Sequence, residues 1–261
     1  MSQRRDRINS ALLGDTRTQA WSNLGHWQGD NRDYSTAAKA LAVQLAKQMD
    51  LQAADSVLDV ACGYGASLNL WHEWGLREVV GLEQQAACVA AWQDDDRFPC
   101  WHGRMQDSVA LATGRRFDAV LAIDAAYQWD LSAWLAQAHD LLHPQGCLGF
   151  HFLLLADDFA QRPRAQQAWT RRLLRLVGVQ TLLNQAQLQA ACHAHWDAQW
   201  TDLCIRDISS EVLAGFGRYA QSLPLTPLGF DGLKIHATGW LCRHLYRQSS
   251  VRYVSISLHK A

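Results

Sequence analysis

Two acids and two glycines stand in an order that can hold a polar ligand. Asp59 lies near the end of the apolar run Ser56-Val57-Leu58-Asp59-Val60, and Gly63 and Gly65 follow within Ala61-Cys62-Gly63-Tyr64-Gly65-Ala66. Glycines allow backbone angles closed to other residues and let a ligand approach the main chain. The residues from Ala66 onward suit a helix, whose first N–H groups would point back at that ligand. Glu83 ends a second apolar run, Glu78-Val79-Val80-Gly81-Leu82-Glu83, 24 positions after Asp59. That separation is one strand–helix–strand unit, and an acid at its end can accept two hydrogen bonds from a ribose diol.

Positioning these groups requires a buried sheet. Val57, Leu58 and Val60 are branched and apolar, as a doubly covered parallel strand demands. A helix is expected over 66–75, a strand over 78–83, an alanine-rich helix to Gln93 and a short strand over Phe98–Gly103. Phe117–Asp124 is apolar enough for a central strand. Leu131–Leu142 reads as a helix stopped by Pro144 and Gly146, and Cys147–Leu155 as the next strand. Strands alternating with helices define an α/β fold, doubly wound around a mostly parallel sheet.

The flanks differ. Residues 1–20 suggest a polar helical lead-in, and Asn23-Leu24-Gly25-His26-Trp27 a turn with two large rings. A helix over Ser35–Met49 buries Ala38, Leu41, Ala42, Leu45 and Met49, with Ser35 or Thr36 as its cap. After Ala156 the pattern turns polar and helical through 198, which suggests a cap over the strand ends. A strand resumes near 199–206, a helix covers about 209–223, Pro224 and Pro227 follow, and a last helix precedes the alternating strand 251–258. The expected organisation is an N-terminal lead-in (1–50), a cofactor-binding core (51–156), a helical cap (157–198) and a C-terminal completion of the sheet (199–261).

Composition sets bounds. The chain has 261 residues, 49% of them hydrophobic, and a formal charge of −1. That balance argues against a nucleic-acid surface, and Arg4-Arg5-Asp6-Arg7 reads as a solvated tail. No apolar run is long enough to span a membrane, and no secretory leader is visible. Seven cysteines without a C-x-x-C pair fit a reducing cytoplasm better than a disulfide framework. Twelve tryptophans suit a core and an aromatic-walled cavity.

The ligand of such a unit is a dinucleotide or S-adenosylmethionine. A dinucleotide turn wants a third glycine to bring helix and strand together, and Leu68 occupies that slot. The pattern D-x-x-C-G-x-G resembles the first motif of class I methyltransferases. Asn23–Trp27 resembles the H-x-G-Y-W segment of their small-molecule branch, Phe117–Trp129 its fourth strand and loop, His143-Pro144-Gln145-Gly146 its R-P-G-G turn, and Arg206-Asp207-Ile208-Ser209 and the closing strand also fit. Tocopherol-type ring methyltransferases and antibiotic-sugar O-methyltransferases belong to this branch. The resemblance implies a Rossmann-like seven-stranded sheet of order 3-2-1-4-5-7-6, the seventh strand antiparallel. It implies S-adenosylmethionine as cofactor, with Gly63 and Gly65 at the methionine end and Glu83 on the ribose. Asp59, Ala61, Gln84, Met105, Gln106 and Asp124 complete the cofactor set, with Tyr34, His26 and Trp27 at the entrance unless they are core aromatics. Ala61 replaces a frequent glycine at a position expected to remain strand-like, and Arg104 replaces an acid that often receives the adenine amino group.

The expected activity is methyl transfer to a small molecule, at the oxygen of a secondary metabolite or sugar, or at nitrogen or carbon. Alternatives are a non-catalytic S-adenosylmethionine-binding scaffold and an NAD-dependent Rossmann oxidoreductase. The loop Asp124-Ala125-Ala126-Tyr127 lacks the prolines of base-methylating relatives. His151, a polar residue late in an apolar strand, is the candidate base, with Tyr127 and Gln128 orienting the acceptor. Sugar-modifying relatives carry a His-His pair and an Asp where Tyr127-Gln128 and His151 stand. No metal is expected. Asp157-Asp158 could join Asp124 around magnesium but more simply cap a helix near Phe159. Of Cys192, His193 and His195, only Cys192 and His195 share a helix face, too few for zinc. The oligomeric state is not legible.

Overall fold

The computed structural model describes residues 9–29, 33–196, 200–224 and 230–260. In chain order the elements are α1 (Tyr34–Gln48), β1 (Ser56–Val60), α2 (Ala66–Glu73), β2 (Glu78–Glu83), α3 (Ala86–Val89), β3 (Cys100–His102), α4 (Ser108–Ala112) and β4 (Phe117–Ala122). There follow α5 (Leu131–Leu141), β5 (Leu142–Leu155), α6 (Arg164–Leu176), α7 (Gln185–Trp196), β6 (Trp200–Asp207), α8 (Gly215–Ser222), α9 (Phe230–Arg247) and β7 (Val251–Lys260). The strands form one sheet of order β3-β2-β1-β4-β5-β7-β6. β1 lies parallel between β2 and β4, with Asp59 opposite Gly81 and Leu121, and β7 runs antiparallel between β5 and β6. Apolar layers cover both faces. Leu41 and Leu45 of α1 pack with Phe216 of α8 and Leu245 of α9 on one side. On the other, Trp134 and Leu135 of α5 pack with Leu188 and Cys192 of α7. The fold is the doubly wound, Rossmann-like arrangement expected from the sequence.

Several local expectations fail for identifiable reasons. The described part of the lead-in is one 3-10 turn at Ser10–Leu13, closed by Gly14 in the left-handed region. α1 is capped by Asp33, whose carboxylate accepts the Thr36 N–H at 2.8 Å, so Ser35 and Thr36 fall inside the first turn. Pro144 does not separate helix from strand. β5 begins at Leu142, directly after α5, and takes Pro144 into its first residues, beside a register shift between Phe117 and Ala119, where a missing N–H is tolerated. α4 was not anticipated. The stretch 157–198 divides: α6 reaches the strand ends, whereas α7 packs beside α5 and buries Leu188 and Cys192 completely.

Ala61 does not continue the strand. β1 stops at Val60, and Ala61 has φ +61, in the left-handed region. A Cβ there costs roughly 1–2 kcal/mol. Its N–H nevertheless donates to the Leu82 carbonyl at 2.8 Å, so the turn holds the alanine in place. Ala61→Gly should leave stability unchanged or raise it by up to about 1 kcal/mol, the strain relieved being partly offset by a more flexible unfolded chain. Urea unfolding measures this, and a loss of about 1 kcal/mol or more would contradict the strained-turn account.

Candidate functional site

The sheet brings the ends of β1, β2 and β4 together, and the polar groups gather there. Glu83, nearly fully buried, accepts the Gly63 N–H at 3.0 Å on one carboxylate oxygen and the Gln85 N–H at 2.7 Å on the other. The glycine turn is thereby fixed to β2 by a carboxylate with lone pairs to spare. Trp92 supports the turn from below. Its indole donates to the Gly63 carbonyl at 3.0 Å, and its ring fills the space a side chain at Gly65 (φ +82) would need. Asp59 accepts the Trp71 indole N–H at 2.8 Å on Oδ2, while Oδ1 is buried with no protein partner. Burial pushes the Asp59 pKa up to about 6, against hydrogen bonds from Ser67 and Trp71 that pull it down.

A second cluster surrounds Asp124, just past β4 and itself at φ +54. Its Oδ1 accepts the phenol hydroxyls of Tyr253 at 2.6 Å and Tyr127 at 3.0 Å, and Oδ2 accepts the Leu24 N–H at 2.7 Å. Burial pushes its pKa up to about 6 although all three donors favour the anion. Burial, then the neighbouring Asp124 charge, hold both phenols well above their usual range, so they remain donors.

One cavity of about 1090 Å³ joins the clusters, at the top of the roughly 300–1,000 Å³ usual for ligand sites. Asp59, Ala61, Gly63, Glu83, Gln84 and Met105 line one part, and Asp124, Tyr127, Gln128 and Tyr253 line the middle. Leu173 and Leu176 of α6 and Trp240 and Leu241 of α9 line the remainder.

Several residues expected at the site lie off this wall. Tyr34 is buried in the core, where its hydroxyl donates to the Asn23 carbonyl at 2.8 Å. Trp27 stacks on Tyr219 at 4.3 Å and donates to the Leu24 carbonyl. Both pack around the turn at 23–27, off the cavity wall. Gly65 caps α2 and faces Trp92, and Gln106 is exposed. His151 is wholly buried behind Asp124. Its Nδ1 accepts the Asp124 N–H at 3.2 Å, and burial lowers its pKa to about 3. A base must reach the proton it removes, and His151 does not reach the cavity.

The metal alternatives find no support. Asp157 pairs with Arg252 and Asp158 with Arg162, and neither side chain caps the turn at Phe159. Cys192 is a buried thiol pushed up to about 12 by its apolar surroundings, His193 is exposed, and the side chain of His195 lies outside the described residues. No group of three or more His, Cys, Asp or Glu that could hold a metal occurs among the described residues. The sequence reading missed Trp71, Trp92 and the Leu24 N–H, which leave no periodic signal. Tyr253 was legible only as one position of an alternating strand.

Residues 57–146, about a third of the chain, match a family described as a methyltransferase domain. No curated protein matches the chain. Among solved structures, geranyl diphosphate C-methyltransferase from Streptomyces coelicolor A3(2), crystallised with Mg2+, geranyl diphosphate and S-adenosyl-L-homocysteine, is 14% identical, with 97% of this chain and 96% of that chain covered and a TM-score of 0.69. The cyclopropane synthase MmaA2 from Mycobacterium tuberculosis is 15% identical over 97% of this chain and 94% of that chain, with a TM-score of 0.75. The [4+2]-cyclase SpnF is 18% identical over 96% and 91%, with a TM-score of 0.68. At such identities the likeness carries the fold, and a fold that serves a cyclase does not alone fix a reaction.

The matched segment is thus a methyltransferase domain, set in a sheet of the order β3-β2-β1-β4-β5-β7-β6. The chain carries a methyltransferase domain, an enzyme module whose cofactor is S-adenosylmethionine. The residues present fit that cofactor: Glu83 offers acceptors to a diol, and the orphaned Asp59 Oδ1 offers an anion to a cationic ligand.

Two expectations follow from this geometry. Glu83→Ala should weaken S-adenosylhomocysteine binding at least about a hundredfold, since two charge-assisted hydrogen bonds of roughly 1.5–3 kcal/mol each are lost. Calorimetry reads this, and an unchanged affinity would refute the ribose assignment. The second concerns Asp124, whose raised pKa means that the folded state favours its protonated form. Its contribution to stability is greatest below about pH 4, falls as pH rises to about 6, and is level above. Asp124→Asn lacks this loss, so the variant should gain on the wild type by roughly 1–3 kcal/mol between those limits. Denaturant midpoints differing equally at every pH would contradict the shift.

Proposed function

We propose that the enzyme methylates a small, largely apolar molecule held between α6 and α9. The continuity of the cavity carries this reading: the acids at the ends of β1 and β2 and the apolar walls of α6 and α9 enclose one space. Bound S-adenosylmethionine supplies an electrophilic methyl carbon on a sulfonium. Asp59 and Glu83 hold the cofactor, while Leu173, Leu241 and Tyr253 exclude water from the acceptor. Alignment of this kind can supply roughly 7–11 kcal/mol. Where the acceptor loses a proton, Asp124 takes the role first expected of His151, because it lies on the cavity wall with a pKa near 6. Tyr127 and Tyr253, hydrogen-bonded to it, orient the acceptor or relay its proton. A nitrogen acceptor with a free lone pair needs alignment alone.

The near-neutral charge and the proline-free loop after β4 favour a metabolite over nucleic acid. Apolar walls suit an aliphatic or aromatic acceptor better than a sugar. The cysteines of the described residues are free thiols, in keeping with a cytoplasmic setting.

Incubation with labelled S-adenosylmethionine and fractionated metabolite extracts should label a lipophilic small molecule. With that acceptor in hand, Tyr253→Phe should lower kcat about 10- to 100-fold, within the reach of general acid–base effects, with S-adenosylhomocysteine affinity intact. Label confined to an RNA or a protein would overturn the proposal. No turnover in any extract, with the cofactor bound, would favour a binding scaffold.

A further inference from the structure

The exposed apolar surface is concentrated at the cavity mouth. Of the nine exposed large apolar side chains among the described residues, seven lie on α9 or on α6 and the residue after it. On α6, Trp169, Arg172 and Leu176 follow the i, i+3, i+7 spacing of one helix face, and all three are exposed. On α9, Phe230, Leu233, Ala237 and Trp240 do the same. Both stripes run to the cavity, because Leu176, Ala237 and Trp240 also line it. Trp240 is 49% and Leu176 is 73% exposed, so neither is a closed wall.

Charge gathers at the same place. The whole chain carries −1, yet residues 159–196 hold five arginines and no Asp or Glu. Arg162 is paired with Asp158, and Arg171 lies over the Phe159 ring at 5.3 Å. The side chains of Arg164, Arg172 and Arg175 have no hydrogen bond or ion pair among the described residues. Arg175 and Lys234 stand on the cavity wall beside the apolar stripes. A helix that merely faces water gains from acids spaced among its bases, and α6 has none.

Outward arginines interleaved with Trp and Leu are the composition of a helix that lies in a lipid headgroup layer. A second copy of this chain fits the face poorly, since a two-fold contact would set arginine against arginine. We propose that the face formed by α6 and α9 docks on an anionic bilayer. Trp169, Leu176 and Trp240 enter the headgroup region, Arg172 and Arg175 meet lipid phosphates, and a lipophilic acceptor passes from the membrane into the cavity without crossing water. The attachment is peripheral, because no helix among the described residues is long and apolar enough to cross a membrane. The acceptor route rests on the methyl-transfer reading above, and the docking itself does not.

Co-sedimentation of the full chain with extruded vesicles tests this. The protein should pellet with vesicles of phosphatidylglycerol and phosphatidylcholine in equal parts. It should remain in solution with phosphatidylcholine alone, and should be released at about 0.5 M salt, where screening acts within roughly 4 Å. Arg172→Gln should lower partition about fivefold, the effect of one charge near an anionic surface, and Trp169→Ala several-fold. Neither side chain lines the cavity, so S-adenosylhomocysteine affinity should be unchanged in both, which also shows that the variants fold. Three results would overturn the proposal: no pelleting by protein that still binds S-adenosylhomocysteine, equal pelleting with neutral vesicles, or a wild-type dimer that either substitution breaks. Loss of cofactor binding by the wild type would instead strike the methyltransferase assignment and leave the vesicle result to be read by itself.

Discussion

The carboxyl of Asp124 is the point through which separate parts of the chain are tied. It takes hydrogen bonds from the N-terminal turn at Leu24, from Tyr127 after β4 and from Tyr253 on β7, and its own N–H goes to His151 on β5. A carboxylate with three donors and little water is held by geometry more than by charge, since burial raises its pKa while the donors lower it. Removing one donor leaves the others aimed at a poorly compensated group, so the cluster stands or falls together. The backbone accepts a left-handed residue to aim this side chain, and strain of that kind collects where function requires it.

The topology explains why the site lies where it does. In an open parallel sheet the strand order reverses beside β1, and ligands bind outside the carboxyl ends of the strands there. β1 between β2 and β4 therefore sets Asp59, Glu83 and Asp124 around one opening. Two tryptophans off the cavity wall keep the site in place: Trp71 bonds Asp59, and Trp92 bonds the carbonyl of Gly63. The antiparallel β7 brings Tyr253 to the same end, onto the cavity wall.

What the sequence made legible was whatever recurs with a period or at a fixed separation. The strand at Val57–Val60, the acid at Glu83 and the doubly wound fold all carried such signals. Where two rules competed, local propensity misled. Serine and threonine suit a helix cap, yet Asp33 stands one turn nearer the start and takes the role. Pro144 suits a break between helix and strand, yet it lies inside β5, two residues past its start. His151 looked like a base because it is polar in an apolar strand, but which neighbour takes its lone pair depends on a contact 27 positions away. The extent of the cap turns on the same kind of contact, since helical composition does not say which layer a helix joins.

In the proposed arrangement, the acids at the ends of β1, β2 and β4 divide one cavity between cofactor and acceptor. A crystal structure with S-adenosylhomocysteine tests this most directly. The ribose hydroxyls should lie within hydrogen-bond distance of Glu83 and the ammonium group near Asp59 Oδ1. The sulfur should face the space bounded by Tyr127, Asp124 and Tyr253, with the apolar region between α6 and α9 left open for the acceptor. A cofactor lying across that apolar region, or one bound without contact to Glu83, would contradict the division.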